Sequence, residues 1–252
     1  MDTINNQNQW WESFFTGVCA DIQFESKTGE QTRAEVDFIQ HVLELKPKAK
    51  VLDVPCGKGR HSIELSRLGY QITGVDITLD FLKEANRKAV AQQLEIKWEH
   101  RDMSDLPWRE EFEGVFCFWG SFGYFDDKGN AKFLKTIFQA LKRGAKFLID
   151  THVTETLLPK ICQKRAWNKV DKTLILEERH YNYTTSRINT EWTVIQDGKE
   201  NRKSTSIRLY TCHELSQLFE RIGFIDLKYY GSISGETFDL GSPRLYLVAT
   251  KC

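Results

Sequence analysis

Residues 51–65 read VLDVPCGKGRHSIEL, and this order of residue types decides the class of fold. The apolar run Val51–Val54, broken by Asp53, suits a short buried strand, Gly57 and Gly59 permit a tight turn, and a helix follows. Glycine lets the backbone approach a ligand without a Cβ in the way, and a helix N-terminus offers N–H groups with no intrahelical partner. A turn so placed sits at the carboxyl end of its strand, where open α/β sheets bind ligands.

Working outward, the same rhythm continues. Strands are expected at Gln71–Val75, Ile96–His100, Val115–Trp119 and Lys146–Thr151, and helices at Gly59–Leu68, Leu79–Gln92 and Lys128–Leu141. Strands alternating with helices of this length argue for a parallel sheet covered on both faces. Upstream, Trp10, Trp11, Phe14 and Phe15 suit one face of a short helix, and Glu30–Leu45 a second helix ended by Pro47. After Pro159 the pattern changes: Leu174–Tyr183, Ile188–Gln196 and Ser204–Tyr210 are long and strand-like, joined by the turn-like TTSR and QDGKEN. That predicts an antiparallel meander inserted into the α/β unit. Thr211–Ile222 is then a helix capped by Gly223, and Phe224–Tyr230 and Arg244–Thr250 are closing strands joined by the long loop Gly231–Pro243.

Three acids stand at successive strand ends. Asp53 is placed to hold a cationic amino group, directly or through water. Asp76 ends the next strand, where two adjacent ribose hydroxyls match one carboxylate. Asp102 ends the third, in reach of an adenine amino group, with the Met103 N–H beside it. A ligand with a carboxylate and an adenosine fits this edge. Each acid also has a plainer reading: Asp76 as a turn residue before a helix, Asp102 as a solvated loop acid. The turn alone also fits a dinucleotide, but the third glycine of GxGxxG is missing, since Ser62 stands there.

Together these placements resemble the class I S-adenosylmethionine-dependent methyltransferases. The resemblance runs through DVPCGKGRHS, GVDIT, RDMSDLPW, FCFWGSFGYFDD and FLIDTH to RLYLVAT, nearly the whole chain, and looks especially like a bacterial branch with a β-insertion after the fifth strand. It implies an α/β fold: a Rossmann-like seven-stranded, mostly parallel sheet with helices on both faces and an inserted antiparallel β lid. It implies S-adenosyl-L-methionine as cofactor, with Asp53, Gly57 and Gly59 around the methionine moiety and Pro55 and Cys56 in the same turn. Asp76 and Ile77 would hold ribose and adenine, Asp102 and Met103 the adenine edge, and Phe118 would make a backbone contact. Pro55 departs from the glycine of many members and puts the local loop shape in question.

The acceptor side is expected after the fourth and fifth strands. Trp119, Phe122, Tyr124 and Phe125 either wall an acceptor pocket or pack the core edge. His152 is the best-placed base and, with Tyr124, the catalytic candidate; the alternative for His152 is a hydrogen-bonded structural residue. His61 orients the loop, and Cys56 reads as a small buried thiol. Glu236, Phe238 and Arg244, in or beside the last loop, are candidates for contacting an acceptor or for fixing the loop. The expected reaction is SN2 transfer of methyl to an N, O or C atom of a small molecule. The rivals are a nicotinamide-dependent oxidoreductase on the same architecture, a non-catalytic S-adenosylmethionine-binding module and a nucleic-acid methyltransferase.

Composition bounds the rest. The 252 residues carry 35 basic and 35 acidic side chains, a net charge of zero, so no basic surplus argues for nucleic acid. No N-terminal secretory pattern or membrane-length apolar run is present, and the six cysteines follow no disulfide or metal-ligand spacing, so no metal is expected. The expectation is a cytoplasmic monomer or homodimer, away from membranes, acting on a small-molecule acceptor. The chain is read as one methyltransferase domain over 1–252, with N-terminal helices in 1–48 and the β lid in 160–210.

Overall fold

The computed structural model describes residues 9–17, 19–20, 27–158 and 164–252. Residues 1–8 of the N-terminal segment, and Pro159 and Cys162 at the expected start of the insertion, lie outside the described residues.

The central sheet has the order β10-β11-β5-β4-β1-β2-β3. Its strands are β1 (Lys50–Asp53), β2 (Gln71–Asp76), β3 (Lys97–His100), β4 (Phe112–Cys117), β5 (Leu141–Thr151), β10 (Phe224–Tyr230) and β11 (Leu245–Lys251). The first five run parallel, and β11 pairs antiparallel with both β5 and β10. The order turns back between β1 and β4, so a crevice opens at their carboxyl ends.

Side chains alternate across a strand, and here both faces are apolar. Leu52, Val115, Cys117, Phe147, Ile149 and Leu247 pack on one side with Phe133 and Ile137 of α5 (Asp127–Ala140) and Leu215 and Phe219 of α7 (Cys212–Ile222). Val51, Phe116, Leu148 and Val248 pack on the other with Val36, Ile39 and Val42 of α2 (Gly29–Val42) and Leu65 of α3 (Arg60–Arg67). A sheet covered on both faces reads as continuous apolar runs, as these strands do. The helix α4 (Leu79–Val90) links β2 to β3. Local signals hold too: Thr211 and Glu214 form a capping box at the start of α7, and Gly223 closes it in the left-handed conformation.

The insertion is a separate antiparallel sheet, β6-β7-β8-β9: β6 (Arg165–Val170), β7 (Thr173–Asn182), β8 (Arg187–Gln196) and β9 (Lys199–Arg208). The β8–β9 hairpin turns at Asp197 and Gly198, both at positive φ (49° and 74°), as a tight two-residue connection requires. Two features differ from expectation. The strand β6 is exposed along nearly its whole length and carries no alternation to reveal it. The strand β9 begins at Lys199 rather than Ser204, because backbone pairing continues through the exposed, polar Lys199–Arg202. The short helices are α1 (Trp10–Phe14), lying on β9, and α6 (Thr154–Leu157) after β5. Among the described residues no helix is long and apolar enough to cross a membrane.

Candidate active site

The carboxyl ends of β1, β2, β4 and β5 open into one cavity of about 630 Å³. The structure brings Pro55, Cys56, Gly57, Asp76, Ile77, Asp102, Met103, Phe118, Tyr124 and His152 into its wall.

The two other expected cofactor residues, Asp53 and Gly59, stand behind that wall. Asp53 is 1% exposed and accepts a hydrogen bond from Ser62 Oγ at 2.6 Å. Ser62, which replaces the third glycine of a dinucleotide turn, thus serves as the partner of Asp53. Burial pushes the Asp53 carboxyl up to about 7, against the opposing effects of Ser62 and Arg60. Gly59 has φ +71°, and a Cβ there would lie 2.5 Å from the Trp98 ring and 2.9 Å from Ala85 Cβ. Its glycine is required for packing the turn onto β3 and α4.

Asp76 ties the turn to the second strand. One oxygen accepts from Gly57 N–H and the other from Thr78 N–H, both at 2.8 Å. It therefore has the turn role and still lines the cavity; each carboxylate oxygen has a second lone pair for a ligand hydroxyl. Burial raises its carboxyl above the ordinary value. Asp102 accepts from Ser104 N–H at 2.7 Å, which fixes its loop at the cavity edge. Two carboxylates, a glycine turn and the apolar Ile77, Met103 and Phe118 match the hydroxyls, the amino group and the flat base of an adenosyl ligand. The residues fit S-adenosylmethionine. The Cys56 thiol is buried and held well above its ordinary pKa by burial, next to two acids, which disfavours the thiolate.

The far half of the cavity is aromatic. Trp10, Trp11, Phe14 and Phe15 come from α1 and its end, Tyr124 and Phe125 from the loop after β4, and Trp192 and Ile207 from the inserted sheet. Tyr124 lies at the centre, its ring centroid 4.6 Å from Trp10 and 6.2 Å from Trp11. Burial pushes its hydroxyl above the ordinary tyrosine value, so it stays a neutral phenol. The helix α1 is held over the site by Trp10 Nε1, which donates to Ser206 O at 2.9 Å. Lys203 Nζ of β9 donates to the carbonyls of Ser13, Phe14 and Thr16. Sequence reasoning put the α1 rings on one helix face but not in the site; the signal was four large rings within six residues and no local partner.

The structure divides the remaining aromatic and loop residues. Of the insertion rings Trp167, Tyr181, Tyr183, Trp192 and Tyr210, only Trp192 reaches the cavity. Trp167 and Tyr183 are 73% and 83% exposed, and Tyr210 belongs to the main core, its hydroxyl joining Asp127 and Asn130. Phe122 also packs in the core. In the last loop Glu236 is exposed and Phe238 packs on the core, so Arg244 alone reaches the cavity.

Arg244 organises the side of the cavity where its two halves meet. Its Nε donates to buried Asp150, which also accepts from Trp119 N–H at 2.8 Å, and its Nη1 lies 3.2 Å from His152 Nε2. A guanidinium only donates, so His152 Nε2 is the acceptor. Across the cavity, Glu35 is paired with Arg60 and lies 2.7 Å from His61 Nε2. Burial alone would raise Glu35, but His61 and Arg60 bring it down to about 2; burial takes His61 down to about 4.

Comparison with known proteins agrees with this geometry. Residues 51–144 match the model of a methyltransferase domain family. A protein of Geobacillus sp. (strain WCH70) named as a methyltransferase is 27% identical over 80% of this chain and 84% of its own. A glycine/sarcosine N-methyltransferase of Aphanothece halophytica is 21% identical over 99% of this chain and 92% of its own. The crystal structure of an S-adenosylmethionine-dependent methyltransferase from Clostridium acetobutylicum ATCC 824 superposes with a TM-score of 0.77, at 18% identity, covering 95% of this chain and 97% of that one. Sheet order, turn, acids and matched domain agree: residues 51–144 belong to a methyltransferase domain family, and the chain has the fold of the S-adenosylmethionine-dependent methyltransferases.

Proposed function

We propose that the chain transfers a methyl group to an N, O or C atom of a small molecule seated among the rings of α1, Tyr124 and Trp192. The observation that carries this reading is the continuity of the cavity: its acid-and-glycine half opens into its aromatic half without a wall between them. The likeness to a glycine/sarcosine N-methyltransferase supports a small acceptor.

When bound, S-adenosylmethionine supplies a methyl group on a positively charged sulfur, an electrophile that needs no further activation. The chain's own task is then alignment and the exclusion of water. Holding two reactants in line contributes up to about 7–11 kcal/mol. The Gly57 turn, Asp76 and Asp102 fix one partner. The rings of Trp10, Trp11 and Tyr124 cover the other and keep water out. Tyr124, a neutral phenol, offers the acceptor a hydrogen bond rather than a base. His152 has its Nε2 lone pair engaged by Arg244, which leaves that nitrogen poorly placed to act as a base. This arrangement favours an acceptor that presents its own lone pair.

Calorimetry tests the cofactor half: S-adenosylmethionine and S-adenosylhomocysteine should both release heat on binding, and NADH none. Binding of NADH alone would overturn the reading. Formation of S-adenosylhomocysteine, followed across panels of small amines, alcohols and phenols, tests the acceptor half.

A further inference from the structure

The wall where the two halves meet holds more positive charge than its neighbours use. Lys27 Nζ lies 3.6 Å from the centroid of the Trp119 ring, and Arg60 Cζ lies 5.3 Å from the same centroid. Arg244 approaches from the other side, its Nη2 against Gly120; a Cβ on Gly120 would lie 2.9 Å from that nitrogen. Burial lowers the Lys27 pKa, and Arg60 and Arg244 lower it further, as like charges held together must. Among the described residues two carboxylates touch the group, and both are engaged: Glu35 by Arg60 and His61, Asp150 by Arg244 and the Trp119 N–H. His61, held down to about 4 by burial, adds no charge near neutrality.

The donors are in surplus as well. The Nη2 atoms of Arg60 and Arg244 are buried with no hydrogen-bond partner among the described residues, and Lys27 has no acceptor among them. A buried guanidinium donor left unmatched costs free energy that an anion would recover. We propose that Lys27, Arg60 and Arg244 form a carboxylate seat beside Trp119 and Gly120. Among the described residues three cations against two paired carboxylates leave one charge over, which suits a monoanion better than a doubly charged phosphate. Flat guanidinium edges suit the planar carboxylate. The inference deepens the methyl-transfer reading and rests on it. Two molecules present a carboxylate here: the adenosyl ligand through its methionine end, and an acceptor that is itself an acid.

The test is calorimetry on the full chain with three probes. They are S-adenosylhomocysteine; methylthioadenosine, which keeps the nucleoside and thioether but lacks the amino-acid end; and sodium acetate added to the S-adenosylhomocysteine complex, with acetamide as neutral control. Arg244→Gln should weaken one carboxylate probe about ten- to a hundredfold and leave methylthioadenosine within about twofold. Lys27→Met, which breaks no hydrogen bond among the described residues, should act in the same direction and keeps the test independent of any disturbance at Asp150. Weakened S-adenosylhomocysteine assigns the seat to the cofactor. Weakened acetate with unchanged S-adenosylhomocysteine assigns it to an acidic acceptor. Wild-type affinity for both carboxylates in both variants, with methylthioadenosine unchanged, overturns the seat. Failure of methylthioadenosine to bind the wild-type chain would instead count against the adenosyl reading, and acetate added to the free chain then decides the seat alone.

Discussion

Asp76 carries two tasks that a single substitution can separate. Its hydrogen bonds to Gly57 and Thr78 shape the turn, while its place in the cavity wall gives a ligand hydroxyl somewhere to donate. Asp76→Ala should weaken S-adenosylhomocysteine about ten- to a hundredfold, since hydrogen bonds to charged groups contribute roughly 1.5–3 kcal/mol. Asp76→Asn keeps an oxygen and should lose less. An unchanged dissociation constant in Asp76→Ala, with native circular dichroism, would leave the acid with its turn role only. Asp53 differs, because it is buried behind the turn and its carboxyl is raised to about 7 rather than lowered. A raised folded-state value means that the folded chain holds a proton the unfolded chain has lost, from about pH 4 to 7. Its contribution to stability is therefore full below the ordinary value of 3.8 and is lost as pH rises through about 7. His61 runs the other way: lowered from 6.5 to about 4, it contributes stability above 6.5 that is lost as pH falls through about 4. Melting curves should show the gap between wild type and Asp53→Asn narrowing as pH rises from 4 to 7. The gap between wild type and His61→Asn should widen as pH rises from 4 to 6.5.

The elements that cover the site are α1 and the inserted sheet, and they are tied to each other as well as to the loop after β4, where Arg187 donates to the carbonyls of Tyr124 and Phe125. Trp10 donates to Ser206, Lys203 gathers the carbonyls at the end of α1, and Phe14 packs 5.6 Å from Trp192. Replacing residues 165–208 with a short Gly/Ser linker should leave adenosyl-ligand binding near wild type and abolish transfer. The cut stops before Tyr210, which is part of the core. Loss of both functions would give the sheet a structural role, and retained transfer with a changed mass by light scattering would make it an interface. Lys203→Met is the gentler probe: the α1 amides should exchange hydrogen faster while adenosyl binding holds. These elements also mark where the sequence ceased to be legible. The α/β strands could be read because their apolar runs and glycine turns are local signals. The strand β6 could not, since an exposed edge strand carries no burial pattern. Membership of α1 in the site depends on contacts nearly 200 residues away in sequence, at Ser206, which periodicity does not encode.

At the scale of the whole molecule, what the sequence made plain was the edge of the sheet, and what it hid was depth. Alternating strands and helices point the strand-end acids to one side, so the edge at which Asp76 and Asp102 line the cavity could be named in advance. Depth along that edge depends on side-chain packing: Trp98 under the turn sets Gly59 back, and Ser62 draws Asp53 inward. The zero net charge likewise hid an uneven interior, since Lys27, Arg60 and Arg244 gather on one wall of a balanced chain. The tryptophans are uneven in the same way. Four of the seven, Trp10, Trp11, Trp119 and Trp192, line the cavity, while Trp167 faces solvent. The chain thus contains its own optical reporter. Its emission should combine a short-wavelength part from indoles shielded in the cavity with a long-wavelength part from Trp167. Iodide should quench the second from the outset. An adenosyl ligand or an acceptor should change the first alone, so filling of the two halves can be followed by light, with no label attached.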